Sequence, residues 1–450
     1  MGISLRDRRR RRRPSYADYR PRRRPQGPRN DPFRILLYLV LIAGGIWVYF
    51  NQEATLRALD AIVNGQETAA DVESSGSPAG APQAVEQPGG QSAQEIAALA
   101  EAAYQEGKLT DAIDLYTQAA ELEPNNVEYH RQVARLLIFS AAMQYGDRRE
   151  ATLEQAAQAA NRAILADPFS PAGYAIQGKV QDWQGNPEAA LSTILRALEI
   201  DSTYALGQSY YAEALMDLTR WDQALETIRY ALELEPNSVD IRRDYAYILE
   251  SLGDYDSAAT QYEAALALHP NLSLLKMALA RTYRQVGRYN EALDIFFDVQ
   301  VLEPNNALVQ YEIGRTYETY IGDPNTALEY FDQAVSLDES FATPWVRIGT
   351  IRYLQGSYSQ AVVAFERALA LGVENADVYL QLGMAYANEG RCDLAEGYLL
   401  QAQNLSQGDE LILDVAQSGF EICAQPTPIP SDVLGTPVPG AGGGTDDASP

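Results

Sequence analysis

The sequence predicts an all-α fold: an α-solenoid of about nine helix pairs, closed by a C-terminal capping helix and preceded by one transmembrane helix. Three observations predict it. A helix-ending punctuation recurs at Pro124, Pro168, Ser202, Pro236, Pro270, Pro304, Glu339, Val373 and Gln407, at spacings of 44, 34, 34, 34, 34, 35, 34 and 34 residues. Alanine stands twelve residues before every one of these positions. Residues 35–52 carry no charge, and 13 Arg precede them.

The N-terminal element, residues 1–34, sets those 13 Arg against Asp7, Asp18 and Asp31, a net charge of +10. It has too little apolar surface to offset the entropy of ordering, which predicts a disordered head. The run Ile35–Phe50 is 16 residues long and would span about 24 Å as a helix. Extended to Gln52, and with Arg34 snorkelling, it makes a short single span of a hydrocarbon core ~30 Å thick. A buried soluble helix is opposed by its being apolar on every face. A cleaved signal peptide is opposed by the long Arg-rich lead and the lack of a small-residue cleavage box. Trp47, Tyr49 and Phe50 at the far end suit an aromatic belt.

The Arg excess before the span places the head in the cytoplasm and the rest of the chain beyond a cell membrane. The same Arg cluster suits anionic lipid headgroups, or a cytosolic protein. Nucleic acid is disfavoured because no stacking platform or folded reader accompanies the charge. Residues 53–92 read as a juxtamembrane helix to Gly65 and then a Gly/Pro/Ser-rich linker with a reach of roughly 30 Å. Residues 424–450 read as a disordered Pro/Gly-rich tail.

Between linker and tail, residues 93–423 form the repeat region. Each unit holds two amphipathic helices split by a Gly-centred turn, as in Ser251–Ala258, Gln285–Ala292 and Leu354–Ala361. The nine alanines are Ala112, Ala156, Ala190, Ala224, Ala258, Ala292, Ala327, Ala361 and Ala395; Gly or Ala recurs twelve residues earlier again, allowing for two insertions. Small residues at fixed slots imply close helix approach, and Tyr116, Ile194, Tyr262, Phe296, Phe331 and Phe365 fill the space between. Two irregularities stand out: about ten extra residues near Ser140–Glu150, and one in Tyr320–Asn325. A last helix, Asp409–Cys423, offers Leu411, Leu413, Val415 and Phe420 to cover the exposed end.

Over residues 93–407 this pattern resembles the tetratricopeptide repeat (TPR). The best unit starts at Phe341, where Trp345, Ile348, Gly349, Gly356, Tyr358, Ala361, Phe365 and Ala368 occupy the signature slots. The resemblance implies that the first helix of each repeat lines a concave face. By position this picks out Arg243, Tyr247, Met277, Arg281, Arg284, Tyr311 and Arg315 as candidate peptide-binding residues. Guanidinium forks with adjacent tyrosines suit an extended peptide bearing acidic groups or a C-terminal carboxylate. The alternative is that these Arg pair with carboxylates on adjacent helices, such as Asp244, Glu250 or Glu312.

Cys392 opens the last repeat's second helix and Cys423 ends the capping helix. In an antiparallel pair both fall at the same end, which predicts a disulfide; two part-buried thiols are the alternative. Two Cys and two His exclude most zinc sites, and no GxSxG, P-loop, HExxH or CxxC occurs. His130 and His269 lie in different repeats, and His269 reads as a solvated residue at a helix end. Residues 53–450 hold 58 acidic and 22 basic side chains, read as solvated outer helix faces. The expected function is a non-enzymatic, membrane-tethered scaffold that binds a protein or peptide partner, needing no cofactor or small-molecule substrate. The alternative is a non-catalytic subunit of an envelope enzyme, or of a secretion or polysaccharide-assembly complex.

Overall fold

The computed structural model of the chain describes residues 91–424. The Arg-rich head, the apolar run, the linker up to Gly90 and the tail from Gln425 lie outside the described residues, and so does the expected transmembrane helix. Among the described residues, no helix is long and apolar enough to cross a membrane.

Nineteen α-helices and no strand make up these residues. The first pairs are α1 (Ala93–Gln105) with α2 (Leu109–Leu122), α3 (Val127–Ala142) with α4 (Gly146–Ala166), and α5 (Pro171–Trp183) with α6 (Pro187–Ile200). Next come α7 (Ala205–Asp217) with α8 (Trp221–Leu234), α9 (Val239–Leu252) with α10 (Tyr255–Leu268), and α11 (Ser273–Gln285) with α12 (Tyr289–Leu302). The last pairs are α13 (Ala307–Thr316) with α14 (Pro324–Leu337), α15 (Ala342–Leu354) with α16 (Tyr358–Ala370), and α17 (Ala376–Asn388) with α18 (Cys392–Leu405). A final helix, α19 (Glu410–Ala424), follows.

Local signals start and stop the helices. Ser92 and Glu95 form a reciprocal capping box at α1. Asn126, Ser170, Ser238, Asn306 and Asn375 cap later first helices through their side chains. Packing follows the small-residue slots. All nine repeat alanines, Ala112 through Ala395, are fully buried. Opposite them a helix backbone comes so close that a Cβ on Gly349 would sit 2.6 Å from the Phe365 ring. Gly349→Ala is therefore expected to destabilise by ~1–3 kcal/mol. Phe365→Leu in the same chain should recover part of the loss, read as non-additive shifts in thermal unfolding.

The two irregularities have separate structural outcomes. The extra residues of the second repeat lengthen α3 and α4 to 16 and 21 residues, joined by the turn at Met143–Tyr145. The single extra residue of the seventh repeat is absorbed as a π-helical turn, Tyr317–Ile321, continuing α13. The capping helix keeps Val415 and Phe420 of the expected face on the terminal core, with Leu413 half-buried, but not Leu411. Leu411 is turned to solvent, while Ile412, Ala416 and Gly419 are buried. Those three follow i, i+4, i+7 spacing, and Gly419 seats α19 directly on Leu399 and Met384. Counting only bulky apolar residues leaves out Ala416 and Gly419 at the centre of this contact. The structure joins Cys392 and Cys423 in a disulfide, with Cα atoms 5.4 Å apart.

A closed inner wall and the candidate binding surface

Side chains far apart in sequence meet where the array winds back on itself. Arg135 on α3 donates to Asp240 on α9, 105 residues away, at 2.6 and 2.9 Å, and also to the Tyr104 hydroxyl at 2.9 Å. The Tyr104 ring lies 4.2 Å from that of His269. Gly107, in the first repeat's turn, packs so tightly on Asn271 that a Cβ there would sit 2.5 Å from its carbonyl. Asn271 in turn donates to the Gln105 carbonyl at 3.0 Å.

A second buried group centres on Lys179 of α5. Its ammonium pairs with Glu213 of α7, and with Asp244 of α9 at 3.0 Å, over the Tyr210 ring. Trp183 Nε1 donates to Glu213 at 2.9 Å, Ser209 donates to Asp244 at 2.7 Å, and Arg243 also pairs with Asp244. Two cations thus face two carboxylates in a dry site, which is the arrangement that makes buried charge tolerable. Burial raises the Asp244 carboxyl, against the pull of Arg243 and Lys179. Burial also pushes Asp240 up, but Arg135, with Arg243 and Arg131, outweighs it, so this carboxyl lies below its ordinary range.

The seven candidate peptide-binding residues lie on α9, α11 and α13, facing this interior. Arg243, Tyr247, Met277, Arg284 and Tyr311 are buried, and Arg281 and Arg315 are partly so. The Arg243 guanidinium also lies over the Phe139 and Trp183 rings. Tyr247 donates to Asp217 at 2.5 Å. Arg281 and Arg284 both reach Glu312, at 2.9 and 2.8 Å. Tyr311 packs its ring 5.3 Å from Phe341. The pairing alternative therefore describes Arg243, Arg281 and Arg284 in the closed array, with Asp244 and Glu312 as acceptors.

Sequence reasoning missed Arg135, Lys179 and Glu213. A signal was available. Each immediately follows the small residue of its first helix (Ala134, Gly178, Ala212), the same register that holds Tyr247, Arg281 and Arg315. His269 also departs from expectation. His269 is 1% exposed beneath Tyr104, and His130 is buried with Nε2 2.8 Å from the Pro124 carbonyl. The close contact of repeat turns encloses His269, which no single-repeat pattern encodes.

Glu250 gives the interior a pH signature. Burial pushes its carboxyl up to about 7, against hydrogen bonds from Thr282 and Tyr262. The folded chain therefore holds this proton more tightly than the unfolded one, whose carboxyl titrates near 4.5. The associated stability is complete below about pH 4.5 and is lost as pH rises through 7. Burial lowers His269, which acts in the opposite sense but equally in variant and parent. Raising pH from 5 to 7.5 should lower Tm more in the parent than in Glu250→Gln, by on the order of a few °C; equal pH slopes would contradict this.

Tetratricopeptide-repeat family models match residues 212–273, 249–311, 307–341, 349–390 and 376–409. The chain carries tetratricopeptide repeats. The tetratricopeptide array is similar in fold to the hetero-tetramer of APC/C subunits Cut9 and Hcn1, at 14% identity and TM-score 0.48, over 73% of this chain and 76% of that one. A tetratricopeptide repeat protein from Parabacteroides merdae matches at 19% identity and TM-score 0.40, over 56% of this chain and 98% of its own. YrrB, described as a TPR protein with an unusual peptide-binding site, matches at 22% identity and TM-score 0.32, over 42% and 96%. No curated protein matches the chain in sequence.

Proposed function

We propose that the chain is a membrane-tethered, non-catalytic scaffold whose tetratricopeptide array receives a protein partner on its outer, acidic surface. The tether rests on the sequence: an uncharged stretch at 35–52 preceded by 13 Arg. The disulfide between Cys392 and Cys423 supports an array on the oxidising side of that membrane. Helical arrays of this type typically act by holding other proteins, and the partner's chemistry follows from how charge is divided.

The observation that carries the reading is the placement of cations. Residues 91–424 hold 49 Asp and Glu against 21 Lys and Arg. Arg135, Arg149, Lys179, Arg243 and Arg284 are buried, as are Asp182, Glu213, Asp240, Asp244 and Glu312. Removing equal numbers from an unequal pool leaves an exterior more one-sided than the sequence, with carboxylates outnumbering cations by more than two to one. Such a surface attracts a basic protein face and repels an acidic one.

Crosslinking in intact cells followed by mass spectrometry tests this. The expected result is crosslinks from residues 91–424 to a Lys/Arg-rich face of another protein, with capture weakening as salt rises. Crosslinks only to acidic faces, or salt-independent capture, would contradict the charge argument. Protease added to intact cells should remove the array; protection would contradict the topology.

A further inference from the structure

The turn between α3 and α4 is where the long insertion enters the array, and it lies against two distant repeat turns. We propose that this segment, Ala141–Arg148, is a strap that fastens successive turns of the array, and that its release opens the inner wall to a carboxylate-bearing polypeptide segment. The proposal deepens the scaffold reading, by assigning a regulated second surface, but stands on different contacts.

The fastening is chemically specific. The Tyr145 ring stacks on Phe341, with centroids 3.6 Å apart and planes within 15°. Its hydroxyl donates to Asp338, 193 residues downstream, at 2.7 Å, and Arg148 reaches the same carboxylate at 3.3 Å. Asn306 Nδ2 approaches the Met143 carbonyl at 3.5 Å, the outer limit of a hydrogen bond. Phe341 then packs edge-on against Tyr311, so the strap sits over one of the inner-wall residues.

The fastening is also releasable. Its polar contacts run through side chains, and Arg148 remains 70% exposed. A cleft of about 570 Å³ borders the strap, lined by Lys108, Tyr145, Arg148, Asn306 and Asp338 among others. Contacts of this kind between rigid stacked elements give two discrete arrangements rather than a continuum of bending. In the closed arrangement α3 lies against α9 through Arg135 and Asp240, and Arg243 lies over Phe139. Separating the two turns parts Arg135 from Asp240 and lifts the Phe139 ring from Arg243, which keeps Asp244 and Trp183. The Arg135 guanidinium, parted from Asp240 in a sheltered site, is suited to a carboxylate, the group it already holds when closed. The closed array is thus an autoinhibited form of the inner surface.

The test is residue-resolved arginine modification of the full-length protein with phenylglyoxal, read by peptide mass spectrometry. Arg196, with a side chain 57% exposed, serves as the internal standard. Tyr145→Ala is expected to raise the modification rate of Arg135 at least fivefold relative to Arg196, with unchanged far-ultraviolet circular dichroism. Tyr145→Phe, which keeps the ring, should stay within twofold of the parent. If Tyr145→Ala loses helix content, Asp338→Asn carries the same test with a smaller rise. A helical variant in which Arg135 stays as protected as in the parent would overturn the strap. Partner capture on the outer surface should be unaffected by Tyr145→Ala, so failure of this proposal and of the scaffold reading are distinguishable.

Discussion

Replacing Lys179 by Met is expected to lower stability by about 3–5 kcal/mol at pH 8, more than any other single substitution proposed for this chain. The volume is nearly conserved, so the loss is electrostatic rather than a cavity. Lys179 holds Glu213 and Asp244 together in a site where its own side chain is 2% exposed. Without the ammonium, two carboxylates remain close together with Arg243 as their shared cation, 3.8 Å from Glu213. They respond by taking up a proton. The Asp244 carboxyl, already raised by burial, rises further above its unfolded-chain value, so the defect deepens as pH rises. Denaturant titrations should therefore show a larger loss at pH 8 than at pH 5.5. A loss that does not depend on pH would mean that packing, not charge, is what Lys179 supplies.

Loss of the disulfide ranks second. Cys392 and Cys423 are 31 residues apart, and closing that loop contributes ~3–4 kcal/mol in the chain-entropy account. The effect should be local. Helix α19 is held besides by Ile412, Ala416 and Gly419 against the last pair, and a terminal helix in a repeat array has neighbours on one side only. Cys423→Ser is expected to raise amide exchange across α19 and the end of α17, with α1–α12 unchanged. Intact mass should rise by about 2 Da on reduction of the parent alone. Parent and variant with the same α19 exchange would show that the bond adds nothing to the cap.

The repeat architecture was legible because it is written as a period. Each alanine from Ala112 to Ala395 marks a place where two helices must touch, and a 34-residue spacing keeps those places in phase. What the period cannot express is contact between units that are not neighbours. Arg135 and Asp240 belong to repeats three units apart, and Tyr145 and Asp338 to units five apart. Their meeting depends on small rotations accumulated over several repeats. The same limit explains the arginines. Position within a repeat puts Arg243, Arg281 and Arg284 on the inner side, but whether that side is open depends on what winds back over it. The burial of His269 escapes the sequence for the same reason, since the residue enclosing it, Tyr104, lies four repeats away. The capping helix shows a different limit: beside Ile412 its buried face includes Ala416 and Gly419, whose smallness matters only once the surface they meet is known.

The most direct test of the closed inner wall is a double-mutant cycle on Arg135 and Asp240, using Arg135→Met, Asp240→Asn and the pair. These side chains meet at 2.6 Å across 105 residues of sequence, so coupling between them requires that successive turns of the array touch in solution. A coupling free energy of about 2 kcal/mol or more is the expected result. Additive effects, with coupling below about 0.5 kcal/mol, would mean that the wall stands open and the arginines face solvent.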